Sequence, residues 1–383
     1  MTIACLASNG MISYRGNAAP TRLLVGTANG LDVLERKPGG DWQRGERKLN
    51  DKHVSSLAIE PVSGGIFAGI HKGGVFYSAD GGLSWEERSN GISIEHVYSV
   101  TATAEDGKPV VYAGTEPACA FRSTDLGKTW EELPGWRNMA GKDKWVFPMP
   151  PKIPHAKTVV VDPANPKTVY VGVEQGGLFV SDDKGQNWRE LDSYDSPDLP
   201  SYRDLHTICV RPNHSNELIF TSGMGIFHSA DRGENWTRLT RPEEFRVGYP
   251  DKLVFAPEEG DRTLFTCGAS KHPGNWRITF TAEATVMRSE DLGRTWTEVS
   301  NGLPQPLKAN LEGMCLYTWP GGYELFVGTT NGIVYSSNDK GANWREIGTD
   351  LGPVSKAQHW QLLIPGAYKR DPDRGASPPS GHH

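Results

Sequence analysis

One eight-residue motif, S-x-D-x-G-x-x-W, occurs six times in this chain of 383 residues. The copies begin at Ser78, Ser123, Ser181, Ser229, Ser289 and Ser337. The tryptophans that end consecutive copies lie 45 to 60 residues apart, a spacing typical of one blade of a β-propeller. A unit that recurs at this period buries its apolar face only by stacking against its neighbours, so the motif constrains the architecture more than any other feature.

Residues 53–90 show the composition of one unit. Short apolar runs alternate with Gly, Pro and Asp turns, which predicts four antiparallel strands, A to D. The third strand runs into the motif, so the motif occupies the C–D turn. Its Ser and Asp oxygens are suited to accept backbone N–H bonds, its Gly to adopt a positive φ, and its Trp to pack between blades.

A seventh, degenerate copy ends at Trp42, which lies 43 residues before Trp85. We therefore predict an all-β, seven-bladed propeller with four-stranded antiparallel blades. The sequence His359-Trp-Gln-Leu-Leu-Ile-Pro365 has no blade of its own and is predicted to pair into blade 1 and close the ring. The predicted blades span residues 21–50 with 357–366, 51–92, 93–137, 153–193, 204–240, 249–300 and 308–350. They form a single domain over 1–368, and 369–383 is expected to be a disordered tail ending in a tag remnant.

Composition excludes several classes of function. A net charge of -6 provides no basic excess for a nucleic-acid backbone. No window approaches the ~20 apolar residues of a membrane helix, and the N-terminus has no basic region before an apolar run. Five scattered cysteines without a CxxC pair predict reduced thiols. The expectation is a cytoplasmic protein without membrane or nucleic-acid partners.

The six motifs resemble Asp-box (BNR) repeats, which occur in sialidases, sortilin-type receptors, xyloglucanases and the photosystem II assembly factor. This resemblance covers nearly the whole chain and implies a propeller whose Asp boxes lie on the face away from the usual binding site. It does not imply sialidase activity. Sialidases carry an Arg-Ile-Pro segment ahead of the first Asp box and have six blades, and this chain has no Arg-Ile-Pro.

Five histidines fall where innermost strands begin: His53, His96, His155, His206 and His359. Strand A is the innermost strand of a blade, so its first residues surround one end of the central channel. We call this end the upper face and the opposite end the Asp-box face. Imidazoles gathered there predict three or four ligands for a divalent transition metal, Mn, Fe, Zn or Cu.

A second ring is predicted at the upper ends of the B strands, where His71, Glu116 and Glu174 stand. Long loops over 136–154, 193–204 and 270–285 lie on the same face and contain Arg203, Lys271 and Arg277. These residues predict a metal-dependent hydrolase or lyase for a small polar or anionic substrate. His71, Glu116 and Glu174 are its candidate catalytic groups, and Arg203 its anion-binding group.

Three alternatives stay open at the level of sequence. Each histidine by itself is typical of a loop cap in a solvated channel. The upper face suits equally a non-catalytic scaffold that binds a protein partner, and the long loops suit contacts between copies of the chain. A glycan hydrolase would need paired carboxylates across the channel, for which Glu116 and Glu174 are the visible pair.

Overall fold

Seven four- or five-stranded sheets surround a central channel. The computed structural model describes residues 2–139, 141–145, 147, 152–191, 203–240 and 245–367. Within these residues thirty strands form seven sheets, which confirms the predicted seven-bladed, all-β propeller.

The first part of the chain forms blades 1 to 3. Its strands are β1 (Ile3–Leu6), β2 (Asn9–Gly10), β3 (Ser13–Arg15), β4 (Arg22–Thr27), β5 (Gly30–Arg36), β6 (Trp42–Arg44), β7 (His53–Ile59), β8 (Ile66–His71), β9 (Gly74–Ser78), β10 (Glu86–Glu87), β11 (His96–Glu105), β12 (Lys108–Glu116), β13 (Ala120–Ser123) and β14 (Glu131–Glu132). Blade 1 has the order β1-β4-β5-β6, blade 2 the order β2-β7-β8-β9-β10, and blade 3 the order β11 to β14.

Blades 4 to 7 follow. Their strands are β15 (His155–Asp162), β16 (Asn165–Glu174), β17 (Gly177–Ser181), β18 (Arg189–Glu190), β19 (Leu205–Arg211), β20 (His214–Ser222), β21 (Gly225–Ser229), β22 (Thr237–Arg238), β23 (Tyr249–Phe255), β24 (Leu264–Ala269), β25 (Thr285–Ser289), β26 (Thr297–Glu298), β27 (Leu311–Trp319), β28 (Gly322–Thr329), β29 (Val334–Ser337) and β30 (Arg345–Gly348). Blades 4 to 6 are four-stranded in chain order, and β3 adds a fifth strand to blade 7.

Helices are few and short. Short 3-10 helices span Lys142–Lys144, Glu259–Asp261 and His359–Leu363, and α1 spans Pro273–Thr279 within the long loop predicted over 270–285. None of the helices in the described ranges is long and apolar enough to cross a membrane. The predicted tail 369–383 lies outside the described residues.

The ring closes through the first residues of the chain. β1 pairs in parallel with β4, so Ile3–Leu6 holds the innermost place of blade 1. The predicted inner strand at 359–365 is a 3-10 helix at His359–Leu363 instead. The C-terminal segment does reach blade 1, where the Ala28 amide donates to the Pro353 carbonyl at 2.9 Å. The inner strand of blade 1 is therefore parallel rather than antiparallel.

Residues 9–15, which we call the inner strap, continue from β1 down the inside of the channel. β2 pairs with β7 of blade 2, and β3 pairs with β27 of blade 7, both in parallel. The Met11 amide donates to the Leu57 carbonyl, and the Leu316 amide donates to the Ile12 carbonyl. The strap thus connects the two blades that flank blade 1.

The Asp boxes form the predicted turns. In the first copy the Asp80 carboxylate accepts the Leu83 and Ser84 amides at 3.0 and 2.9 Å, and Ser78 Oγ accepts the Gly82 amide at 2.9 Å. Gly82 has a φ of 88°, which favours glycine. The turns lie beside the A–B hairpins, where the Lys184 amide donates to the Lys167 carbonyl. The Asp boxes are therefore on the face opposite the starts of the A strands.

The core lies between neighbouring blades. Val111 and Phe121 of blade 3 share one buried cluster with Val171 and Phe179 of blade 4. In blade 3 the motif tryptophan also bonds across blades, because Trp130 Nε1 donates to the Arg88 carbonyl of blade 2 at 2.8 Å. Each blade therefore depends on its neighbours for burial, as the repeat predicted.

Six inner strands share a bulge near their upper ends. In blade 4, Ala156 pairs with Val173 and Thr158 with Gly172, which leaves Lys157 as the extra residue. The equivalent extra residues are Ser55, Tyr98, Lys157, His206, Asp251 and Glu312. A Cβ on Gly114 would lie 2.5 Å from the Ala156 carbonyl oxygen, so this glycine permits the close approach of a bulged neighbour. Bulges of this kind redirect side chains and are common beside functional sites.

Candidate functional site at the upper face

The upper end of the channel carries two tiers of polar side chains. The outer tier stands two residues before each bulge and consists of His53, His96, His155, Asp204, Tyr249 and Asn310, and the inner tier consists of the six bulge residues. All six bulge residues are buried. We call the two tiers together the channel-mouth ring. His53 pairs with His71, His96 with Glu116 and His155 with Glu174, so the predicted second ring lies directly beside it.

His155 is held between two carboxylates. Its Nδ1 lies 3.3 Å from Glu116 Oε2 and its Nε2 lies 2.5 Å from Glu174 Oε2. The ring of Tyr98 stacks on the imidazole with centroids 3.9 Å apart. Burial opposes the charged imidazole, but Glu174 and Glu116 outweigh it and raise the pKa of His155. This arrangement favours a proton on His155.

Glu174, Asp204 and His206 form a compact group of possible ligands. Among the described residues, these three place one ligand atom each within 4.8 Å of the others, a spacing suited to a metal ion. His206 Nε2 lies 3.4 Å from Asp204 Oδ2 and 3.8 Å from Glu174 Oε1. The three side chains are at most 6% exposed. Of the five predicted metal histidines, the structure brings His206 into this group.

Two buried lysines form ion pairs with carboxylates at the channel mouth. Lys157 Nζ donates to Glu174 Oε1 at 3.0 Å, and Lys356 Nζ donates to Asp251 Oδ1 at 2.7 Å. Burial raises the pKa of Glu174 by itself, but Lys157, Lys356 and His155 outweigh it and hold that pKa well below its usual range. Burial raises the pKa of Glu312, which accepts hydrogen bonds from Ser355 Oγ and the Lys356 amide.

Three histidines form a separate row on the side of blades 2 and 3. The ring centroid of His71 lies 5.4 Å from that of His53 and 5.3 Å from that of His96. All three are half-buried, so this side of the mouth faces solvent. Burial and the neighbouring His53 lower the pKa of His71 to about 3, which keeps the ring neutral at physiological pH.

The remaining predicted residues lie around this centre. His359 begins a 3-10 helix rather than a strand, yet its Nδ1 still lies 3.8 Å from Glu312 Oε1 at the channel mouth. Arg203 bonds the Glu190 carboxylate at 2.9 Å and the Gly176 carbonyl at 3.0 Å, beside Asp204 in the chain. Most of the predicted loop 193–204 lies outside the described residues.

The two buried lysines and Asp204 were not predicted as site residues. The sequence pattern gave no role to Lys157 or Lys356, and it placed Asp204 only within the loop 193–204. Lys157 stands two residues after His155, and because side chains on one side of a strand recur every two residues, the sequence could have placed Lys157 at the channel mouth. Lys356 precedes the 3-10 helix and belongs to no repeat, so the sequence carries no signal for it.

Comparisons with known proteins agree with this architecture. The family model described as sortilin, neurotensin receptor 3, matches residues 178–305. No curated protein sequence matches the chain. A structure of YCF48 bound to D1 peptide is 16% identical with a TM-score of 0.58, over 87% of this chain and 94% of that one.

Two further solved structures are glycoside hydrolases. An ancestral GH74 enzyme is 15% identical with a TM-score of 0.60, over 76% of this chain and 38% of that one. The GH74 xyloglucanase from Xanthomonas campestris is 16% identical with a TM-score of 0.58, over 78% of this chain and 45% of that one. This chain thus spans less than half the length of either enzyme. At these identities the likeness shows the fold, and the protein is a seven-bladed propeller of Asp-box repeats.

Proposed function

We propose that the protein is a metal-dependent hydrolase or lyase for a small polar or anionic organic substrate, with Glu174, Asp204 and His206 as metal ligands. One observation carries this proposal. His206 Nδ1 lies 2.7 Å from the Pro250 carbonyl oxygen, which can only accept, so Nδ1 carries the hydrogen. In the neutral ring the Nε2 lone pair then faces two carboxylates, and it has no hydrogen-bond partner among the described residues. A cation between these atoms would resolve that repulsion, and a backbone acceptor on the other ring nitrogen is typical of metal-bound histidine.

Asp204 supports the same interpretation. Its carboxylate is buried, and the hydrogen bond found for it within the described ranges comes from Tyr249 OH at 3.4 Å. Burying a carboxylate with so weak a hydrogen-bond donor costs folding free energy unless a cation binds the carboxylate. Two carboxylates and one imidazole suit Mn²⁺ or Zn²⁺ better than the softer metals.

The residues around the group have separate roles in this proposal. A bound divalent cation would supply Lewis-acid chemistry or an activated water. His155, hydrogen-bonded to Glu174, is the group that donates or accepts the proton, and Lys157 keeps Glu174 ionised. Arg203 would hold a substrate anion in competition with Glu190. We place this activity in the cytoplasm because all five cysteines are buried free thiols.

Metal content tests the proposal directly. Untagged protein is stripped with a chelator and titrated with Mn²⁺ and with Zn²⁺, while calorimetry measures the affinity and elemental analysis the stoichiometry. We expect about one ion per chain, and a loss of affinity of at least about 100-fold in His206→Ala and in Asp204→Asn. His214→Ala is the matched control, because His214 is exposed on the A–B hairpin of the same blade. Protein that binds neither ion, or a His206→Ala variant that binds as tightly as the wild type, would refute it.

A non-catalytic scaffold is the second candidate. The likeness to YCF48 extends over almost the whole of both chains, and that structure holds a peptide. The half-buried row of His53, His71 and His96 at the open side of the mouth would suit a peptide. We rank a glycan hydrolase lower, since the imidazole of His155 occupies the space between the Glu116 and Glu174 carboxylates.

A further inference from the structure

A cavity of about 570 Å³ lies inside the channel, below the channel-mouth ring. The volume falls within the ~300–1,000 Å³ that is typical of small-molecule sites. The inner strands of blades 3 to 7 form its walls together with the inner strap. The strap leaves the channel only partly filled, so the cavity is a consequence of how the ring closes.

The cavity opens toward the Asp-box face. Pro163, Asn213 and Pro257 belong to its lining, and all three are exposed at the lower ends of the inner strands. Its middle is apolar, with Val159, Ile208, Val210, Phe255 and Leu316. Its inner end is cationic, because Lys157 and Lys252 line it there. A ligand entering from below would pass an apolar wall and then meet an ammonium group.

Lys252 differs from the other two buried lysines of the channel. Lys157 pairs with Glu174 and Lys356 with Asp251, whereas the Lys252 ammonium has no hydrogen-bond or ion-pair partner in the ranges that the structure describes. The residue is 2% exposed and lines the cavity. Burial and the neighbouring Lys157 outweigh the charge of Asp251 and lower the pKa of Lys252 to about 8, which reflects the cost of a buried cation without an ion-pair partner among the described residues.

We propose that this cavity binds a monoanionic organic acid with an apolar body, with the carboxylate on Lys252 and the body against the valine, isoleucine and phenylalanine wall. A single uncompensated ammonium favours one negative charge over two. The site is entered from the face opposite the candidate metal group. Its inner end reaches His206, but the proposed contacts of the acid with Lys252 and the apolar wall require no metal.

Calorimetric titration with octanoate and with its neutral counterpart octanamide separates the contribution of the Lys252 charge to binding from that of the apolar wall. We expect wild type to bind octanoate at least about tenfold more tightly than octanamide. In Lys252→Met the preference should disappear while octanamide binding stays, because only the ammonium is lost. In Val161→Phe, which fills the half-buried lower wall, both compounds should lose binding.

Lys128→Met is the matched control, since Lys128 is exposed in an Asp-box turn. Thermal unfolding confirms that each variant is folded. If Lys252→Met does not fold, the expected loss of binding of both compounds in Val161→Phe still tests whether they bind in this cavity. Equal binding of octanoate by wild type and Lys252→Met, or no binding of either compound by wild type, would overturn the proposal. Unchanged metal content in Lys252→Met separates this result from the proposed metal site.

Discussion

At the scale of single residues, Lys356 holds together the buried charges on the side of blades 6 and 7. Its ammonium bonds Asp251 and lies 5.2 Å from the ring centroid of Tyr249, and its backbone amide donates to Glu312. Burial lowers the pKa of this lysine, but Asp251, Tyr249 and Glu174 outweigh burial and raise it well above its usual value. The side chain is therefore charged in the interior.

Replacing this lysine should be costly. Lys356→Met leaves the Asp251 carboxylate buried without its cation, which we expect to lower the free energy of unfolding by about 3 to 5 kcal/mol. Urea denaturation measures the change. The double variant Lys356→Met, Asp251→Asn should recover part of the loss, while Lys340→Met at the surface should change it by less than about 0.5 kcal/mol. A Lys356→Met protein as stable as the wild type would show that the pair contributes nothing.

The sequence located the histidines of the channel mouth and the neighbouring Glu116 and Glu174, but it did not show which side-chain atoms contact one another. Strand periodicity put His53, His96, His155 and His206 at the channel mouth, because inward residues recur every two positions. Which of these histidines lie close to one another depends on the bulges. A bulge adds one residue to a strand, and the two-residue periodicity of the sequence does not show where that residue is. Lys356 comes from a segment outside the repeat, so no alignment of blades could have brought it to Asp251.

At the scale of elements, β1 supports the ring as an inner strand without a hairpin partner. Cys5 and Leu6 are fully buried, and Leu6 packs in one cluster with Val54 of blade 2 and Val354. The sequence did not predict this strand, because four apolar residues with no Asp box or preceding turn fit no repeat. It did predict the Asp-box turns, since their hydrogen bonds are local.

Shortening a buried side chain of β1 should therefore destabilise the whole ring. Leu6→Ala leaves a cavity in this cluster, and we expect a loss of about 2 to 5 kcal/mol in the free energy of unfolding. The matched variant Leu83→Ala removes the same atoms from a side chain that is 54% exposed, and should cost less than about 0.5 kcal/mol. Equal midpoints in urea for the two variants would contradict the role of β1.

At the scale of the whole molecule, the neutral histidines of the upper face make stability depend on pH. The pKa of His71 is lowered to about 3 by burial and His53, and that of His359 to about 3 by burial and Lys356. In the unfolded chain a histidine titrates near 6.5. Between about pH 6.5 and pH 3 the unfolded state therefore binds more protons, so the free energy of unfolding falls as the pH falls.

A variant isolates this contribution. His71→Gln should reduce the slope of the free energy of unfolding against pH by up to about 1.4 kcal/mol per pH unit between about pH 6.5 and pH 3. Urea denaturation at pH 7 and at pH 4.5 measures this change. His214→Gln, at an exposed position, should keep the slope of the wild type. If His71→Gln has the same slope as the wild type, the pKa of His71 is not lowered in the folded protein.

The inner strap also has a consequence for biosynthesis. Tyr14 of the strap pairs with Tyr317 of blade 7, so two partners in one sheet are translated about three hundred residues apart. A ribosome releases the strap about three hundred residues before its partner strand in blade 7. Six blades can therefore emerge while the channel is still open along one side. The ring closes, and the cavity acquires its final wall, only when blade 7 pairs with strap residues that were translated about three hundred residues earlier.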